Sequence, residues 1–527
     1  MAEIMKKWGD FFNGRYSDLF LFLFLFLILI FIYGIDRKIS QRPQSIHIWR
    51  QTDCLSIAQN YYQRDNPIWE PEIYNMMGDN DTSGKSAGEF PGLYYFIALL
   101  WKITGKSELI YRLVTLVLSF LGLFFLFRMN NALLMNRFQA MFISIMLYTS
   151  VIFVSYSFSF LPNLPSLSFV FTGWYLFWKF TVTNRDRWLW WAMFSFTLGM
   201  LLKVSSGVSY VALGGWLVIE LMLPPMKRSL FLRPYLQMIP FFLPLVAVSG
   251  WYLYAGWYNH LHNAYYTFND LWPIWKMEDD YFPEVVQAFR LLWAKEFFPV
   301  STWLVTIAMW IFLLSTLKKR NTFFNYLTII IPVGTILYLL FWFKALNSHD
   351  YYYIELFVFF VMVWVLFFKT MNNYKWFRHW IIYLLLTGWF IFNVTYFSGR
   401  FKDRFQSWMN QWYVENLQAV GEIEPLLRAH GVQPDDLVIS IPDGSINSTL
   451  YLMNQRGFTN YQRNLNTPNG FGKYLSLGAK YLVINNLEQI DQDTAWLKKY
   501  MAYPVFSYKN VLVFDLRSKE MPDDAQD

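Results

Sequence analysis

One cysteine, six histidines and a low share of charged residues set the first limits on this 527-residue chain. A single thiol, Cys54, rules out an intrachain disulfide and argues against a cysteine-rich metal site. Asp53 beside it invites a nucleophile reading, but a lone thiol with no evident base partner is better read as inert. Charged residues make up 15% of the chain, against about 25% in an ordinary soluble domain. The part of the chain beyond about residue 398 has no glycine-rich phosphate fingerprint and no nucleophile elbow; the chain as a whole has no internal repeat, and its one biased run is Phe/Leu at 19–31.

What is present is apolar surface: 55% of residues are hydrophobic and 21% aromatic, which points to a polytopic α-helical membrane protein. A net charge of +7 would suggest nucleic acid for a soluble protein. Here the position of Lys and Arg matters more, because it sets topology. Residues 19–35 end in Tyr33-Gly34-Ile35-Asp36-Arg37-Lys38 with no small-x-small site, so they read as a retained first span rather than a cleaved signal. Further apolar segments fall near 109–127, 138–158, 164–181, 188–203, 207–223, 236–256, 299–317, 324–343, 351–368 and 379–397, giving about eleven spans in all. Residues 92–104 are short for a crossing and read as an interfacial or re-entrant helix.

Charge supports that choice. Alternate connections are basic: Arg128 and Arg137; Arg185 and Arg187; Lys227, Arg228 and Arg233; Lys318, Lys319 and Arg320; Lys369, Lys375 and Arg378. With 92–104 on the surface, all five share a side with Lys6, Lys7 and Arg15, and the positive-inside rule makes that side cytoplasmic. The expected division is a membrane domain over 1–397, with a first outer loop at 36–108, and a small soluble α/β domain over 398–527. In the latter, 437–441 and 480–484 read as strands, 445–455 as helix and 504–516 as a hairpin around Lys509-Asn510. The outer side then carries Asp53 and Glu89, Asn163, Lys203, His349 to Tyr353, and a 257–298 loop with Asp270, Glu278, Asp279, Asp280 and Glu284. Helical spacing at 284–298 suggests a second surface helix.

The stretch from His47 to Pro91 stands out as a polar loop between apolar segments. It opens His47-Ile48-Trp49-Arg50-Gln51-Thr52-Asp53 and closes Gly88-Glu89-Phe90-Pro91-Gly92-Leu93-Tyr94-Tyr95. Two carboxylates bracket bases and aromatics at a membrane boundary, a set suited to a sugar on an anionic lipid; solvated charges on an ordinary loop are the plainer reading.

These segments resemble the GT-C superfamily of membrane glycosyltransferases, and most of all its aminoarabinose transferase and protein O-mannosyltransferase branch. Asp53 stands where that family has an acidic residue early in the first outer loop. Glu89-Phe90-Pro91-Gly92-Leu93-Tyr94-Tyr95 resembles its acidic- or His-x-Pro-x-x-x-Tyr segment. Leu202-Lys203-Val204-Ser205-Ser206-Gly207 resembles a Thr-Lys-Gly-Pro segment, and Ser348-His349-Asp350-Tyr351-Tyr352 a Lys/His-x-x-Tyr segment. Phe90 replaces a lysine of the aminoarabinose branch, Asn163 an aspartate of many members, and the proline after Lys-Gly is missing, which puts aminoarabinose as the sugar in doubt.

The resemblance implies an inverting transfer from a polyprenyl-phosphate-linked sugar to an acceptor hydroxyl on the extracytoplasmic face of the bacterial inner membrane. The acceptor is a lipid, glycan or protein, and no nucleic acid is involved. Asp53 is the expected general base and Glu89 a second carboxylate, with capping of the 92–104 helix as Glu89's alternative use. Lys203 suits the departing phosphate, since a lysine costs about 2.5–3.5 kcal/mol at a bilayer centre; snorkelling to headgroups is its plainer use. Arg50, His349 and Tyr352 complete the expected substrate-binding set, Arg50 either pairing with Asp53 or meeting the lipid phosphate. No His/Cys/Asp cluster has metal-ligand spacing, so no cofactor is expected to be required, and a divalent metal has no support in the sequence. A lipid-linked glycan transporter (flippase) and a glycan polymerase or ligase are the competing readings; a transporter would favour midplane charges and related halves, which the sequence lacks.

Overall fold

The first helix among the described residues, Ser17–Ile32, is a run of Phe, Leu and Ile apolar on every side and therefore suited to lipid and protein contact alike. The structure is a computed structural model that describes residues 17–265, 271–278, 281–463, 465–490 and 495–517. Lys6, Lys7, Arg15, Asp270, Asp279 and Asp280, which entered the charge and loop readings, lie outside the described residues. The chain divides into two units: residues 1–40, 111–251 and 270–401 form one, and residues 41–110, 252–269 and 402–527 the other.

The first unit is helical. Among the described residues of the chain, six helices are long and apolar enough to cross a membrane, or up to eight if each of two bent pairs counts as one span. The bent pairs are Arg137–Thr149 with Val151–Ser157, turning by 81°, and Tyr281–Phe297 with Val300–Ser315, turning by 89°. Phe22 and Phe26 of the first helix pack on Phe120 of the Glu108–Leu134 helix at ring separations of 5.9 and 5.3 Å. Gly122 of that helix lets Asn163–Thr183 approach closely, since an added Cβ would lie 2.7 Å from Ser168 Cα. Small residues at such crossings are how membrane helices gain packing where lipid offers no hydrophobic driving force.

Side-chain contacts fix which helix ends lie together. Arg137 pairs with Asp18 at 2.8 Å and donates to Ser17 Oγ at 3.1 Å, so the first helix starts where Glu108–Leu134 finishes. Lys369 Nζ donates to the Leu133 carbonyl at 3.1 Å and lies 5.5 Å from the Phe324 ring. Arg233 pairs with Asp186 at 2.6 Å, and Phe231 stacks on Phe180. Phe177 then links Phe231 to Phe323. The five basic connections therefore collect at one end of this unit. At the other end, Arg112 Nη1 donates to the Lys38 and Ile39 carbonyls at 3.0 and 3.1 Å. The connection from Ile39 to Ser107 thus leaves and rejoins the unit at the non-basic end, and Gly92–Thr104 is not needed as a crossing.

The second unit is built on a five-stranded sheet: β1 (Leu437–Ile441), β2 (Gly457–Thr459), β3 (Ala479–Ile484), β4 (Pro504–Tyr508) and β5 (Val511–Asp515), in the order β2-β1-β3-β5-β4. β2, β1 and β3 run parallel, and β4 and β5 form an antiparallel hairpin turning at Lys509-Asn510. β1 and β3 are almost continuously buried, as parallel strands covered on both faces are. Residues from the first loop cover the β2 edge: Met76 N–H donates to the Gly457 carbonyl at 3.0 Å, and Met76 joins Ile439, Phe458 and Leu482 in the core. Gly457 has φ +156°, and a Cβ there would sit 1.9 Å from the Val438 carbonyl oxygen.

The one large departure from the sequence reading is inside the polar loop. Residues 48–64 form a helix, Ile48–Arg64, and thirteen of its seventeen residues are buried, Arg50, Gln51, Thr52, Asp53 and Gln59 among them. Polarity suggested solvent, but the partners are protein. Thr52 Oγ1 lies 3.2 Å from Ser448 Oγ, and Gln59 Nε2 donates to Asn454 Oδ1 at 2.7 Å. Such burial of polar groups is stable only when they are hydrogen-bonded.

If the basic end of the helical unit and the Asp36 end lie on opposite sides of a bilayer, a membrane-impermeant maleimide will separate two cysteine variants made in a Cys54→Ala background. Asp36→Cys and Asn184→Cys, both at exposed positions, are expected to label from opposite faces of sealed vesicles. Labelling of both from the same face contradicts this topology.

Candidate active site

In the sheet-containing unit, the Ile48–Arg64 helix and the segment ahead of Gly92–Thr104 bring three of the expected site residues to buried positions. Arg50, Asp53 and Glu89 are 8%, 2% and 6% exposed. Arg50 and Glu89 form an ion pair, a pairing that the sequence reading did not propose. The Tyr94 hydroxyl donates to the same Glu89 oxygen at 2.5 Å. Glu89 is therefore tied to Arg50 and to the first turn of Gly92–Thr104. Asp53 Oδ1 accepts a hydrogen bond from Asn447 Nδ2 at 2.9 Å. Cys54 is fully buried, 3.3 Å from the Tyr94 hydroxyl. Burial pushes its thiol up to about 12, with the Arg50 charge only partly opposing, so it stays protonated and inert at neutral pH.

In the helical unit, Lys203, His349 and Tyr352 lie at the non-basic end. Lys203 closes the Asp186–Leu202 helix, where a cation suits the exposed carbonyls. It is half-buried, with Nζ 5.1 Å from the centre of the Tyr352 ring. Tyr352 is held through its carbonyl, which accepts from the Tyr338 hydroxyl at 2.7 Å. The His349 ring sits 5.3 Å from Tyr351 and 6.1 Å from Tyr352. Its Nδ1 lies 2.8 Å from Ser348 Oγ. Asn163 reaches the same end, donating to the Tyr351 carbonyl at 3.4 Å.

Sequence reasoning missed several groups here. Glu355 is buried and accepts from Ser205 Oγ at 3.1 Å. Asp350 is fully buried and hydrogen-bonded by the Tyr156 hydroxyl. Glu355, three residues after His349-Asp350-Tyr351-Tyr352 and just ahead of the Leu356–Met371 helix, was visible as a polar interruption of an apolar run. Asn447 had no such signal, because it lies almost four hundred positions from its partner. Among the described residues, no group of three His, Cys, Asp or Glu is arranged to hold a metal ion.

Comparison with known proteins agrees with this architecture. Residues 88–254 match the family described as dolichyl-phosphate-mannose-protein mannosyltransferase. No curated protein sequence matches the chain. Among solved structures, ArnT from Cupriavidus metallidurans in the apo state is similar with a TM-score of 0.59 at 11% identity, over 94% of this chain and 97% of that one. The same protein bound to undecaprenyl phosphate gives 0.58 at 11% identity, over 95% and 98%. The oligosaccharyltransferase of Archaeoglobus fulgidus in the apo form gives 0.52 at 11% identity, over 90% of this chain and 70% of that one. The partial family match and the shared fold point the same way as the resemblance read from the sequence.

The Arg50–Glu89 pair is buried on both sides, so removing one partner leaves an uncompensated charge. Glu89→Ala is expected to destabilise the protein by about 3–5 kcal/mol. The double variant Arg50→Met with Glu89→Leu should recover most of that loss. Melting temperatures in detergent check both, and a double variant no better than Glu89→Ala would mean that packing, not the unpaired charge, sets the cost.

Proposed function

We propose that this chain is an integral membrane glycosyltransferase moving a sugar from a polyprenyl-phosphate donor to an acceptor hydroxyl, with inversion, on the extracytoplasmic face. The observation that carries the reading is the family match over residues 88–254, which runs from the Glu89 segment through Lys203 within a chain of GT-C fold. The relatives add chemical sense. One similar structure holds undecaprenyl phosphate, and the archaeal oligosaccharyltransferase has been solved with a dolichol-phosphate and an inhibitory peptide.

In the reaction, the acceptor oxygen bonds to the anomeric carbon as the bond from that carbon to the phosphate oxygen breaks. Asp53 takes the acceptor's proton, and polyprenyl phosphate leaves with the bonding electron pair. An aspartate serves as base because position and the forming bond drive deprotonation. Glu89, held by Arg50 and Tyr94, orients the acceptor or Asp53. Lys203 receives the phosphate, helped by His349 and Tyr352. Beside Lys203 start two helices, Val204–Met222 and Asp350–Met371, and helix N-termini favour anions. Arg50 is better read as Glu89's partner than as a phosphate ligand.

The membrane reading extends further. Ser17–Ile32, Asn163–Thr183 and Asp186–Leu202 join the six long helices and the two bent pairs as crossings, making eleven with the basic end cytoplasmic. Residues 36–108 and the domain at 398–527 then face outward from a bacterial inner membrane, and the division between membrane domain and soluble domain falls near residue 398. No metal or other cofactor is needed for the steps above.

Asp53→Asn tests the assignment. Surface glycans and glycoproteins, compared by mass spectrometry in cells that lack the chain and carry either form, should show the product only with Asp53 intact. Membrane levels of the two forms should match. Full product from Asp53→Asn removes Asp53 from the role of base.

A further inference from the structure

A parallel sheet gathers its functional loops beyond the carboxyl ends of its strands. The loop that leaves β1 here is unusually well tied down. Asp443 Oδ1 accepts the Ser445 N–H at 2.8 Å, and Oδ2 accepts the N–H and hydroxyl of Thr449 at 3.0 and 2.6 Å. The Asn460 N–H, just past β2, donates to the Asp443 carbonyl at 2.8 Å. Within this loop lies Asn447, completely buried.

The orientation of its side chain is set by its neighbours. Asn447 Oδ1 accepts the backbone N–H groups of Tyr74 at 3.1 Å and Asn75 at 3.0 Å. A primary amide carries its acceptor on one side and its donors on the other. With the oxygen committed to two backbone donors, the nitrogen faces away from them, and there Nδ2 meets Asp53 Oδ1 at 2.9 Å. The contact is one of a row, since Ser448 meets Thr52 and Asn454 meets Gln59 along the same helix.

We propose that Asn447 is a positioning residue: through it, the loop after β1 fixes the rotamer of Asp53 for the transfer reaction. This rests on Asp53 acting as the base. An aspartate carboxylate rotates about a broad terminal torsion, and holding one oxygen sets the direction of the other. Misplacing a catalytic group by about 1 Å costs about a hundredfold in rate. Through this contact the C-terminal domain holds the base in place.

The variant Asn447→Asp separates the two halves of the side chain's work. It keeps an oxygen for the Tyr74 and Asn75 N–H groups and replaces the donor facing Asp53 with an acceptor. Wild type, Asn447→Asp, Asp443→Asn and Asp53→Asn would be reconstituted in vesicles of total lipid extract from the producing cells, titrated as donor source. Thermal shift by added undecaprenyl phosphate reports lipid binding separately. For Asn447→Asp, turnover should fall about a hundredfold, while KM for the lipid donor and the undecaprenyl phosphate shift stay near wild type. Asp443→Asn, which loosens the loop without touching Asn447, should show the same pattern to a smaller degree, and it decides the matter if Asn447→Asp does not fold. Wild-type turnover in the folded variants overturns the positioning role. If Asp53→Asn is inactive while they are active, only the positioning role fails. If Asp53→Asn is itself fully active, the base assignment fails with it.

Discussion

The connection between the first two long apolar helices must leave and return at one end of the helical unit, and much else follows from that constraint. Lipid cannot satisfy the hydrogen bonds of irregular backbone, so a polar segment of this length has to stay on one side of a bilayer. Arg112 holds the exit point at Lys38 and Ile39, and Arg137 holds the opposite end at Ser17 and Asp18. Two arginines on helices in direct succession thus pin the direction of both.

The same end of that unit carries Lys203, His349 and Tyr352. The segment 41–110, for its part, folds with residues 402–527, where its polar helix finds protein partners in place of water. The Arg50–Glu89–Tyr94 cluster follows the same rule: a buried base and a hydroxyl meet on one oxygen of a buried acid. Their burial favours fixed geometry, which the proposed transfer would draw on.

Much of the helical part was legible in the sequence because a fully apolar run has few other places to go. The segments at 109–127, 324–343 and 379–397 sit inside Glu108–Leu134, Thr322–Phe341 and Trp380–Gln406, or overrun them by a residue or two. Strands at 437–441 and 480–484 and the hairpin around Lys509-Asn510 were legible for a similar reason, since β-branched runs punctuated by turn residues leave little choice. The Ile48–Arg64 helix was not legible. Its residues are polar, and only the distant loop after β1 makes their burial affordable. The same holds for the candidate site: Asp53, Glu89 and Lys203 stand out in the sequence as isolated charges in short motifs. The Arg50–Glu89 pair and the Asn447 contact depend on tertiary partners 39 and 394 positions away. Three-residue β2 fell below the length at which alternation can be read.

The central claim is chemical: lipid-linked sugar is consumed and lipid phosphate is released. Purified protein in vesicles holding radiolabelled polyprenyl-phosphate sugar and an acceptor extract from the producing cells tests it most directly. The account predicts release of polyprenyl phosphate in step with a labelled glycoside of inverted anomeric configuration. Movement of intact labelled lipid between leaflets, with no glycoside formed, would contradict it.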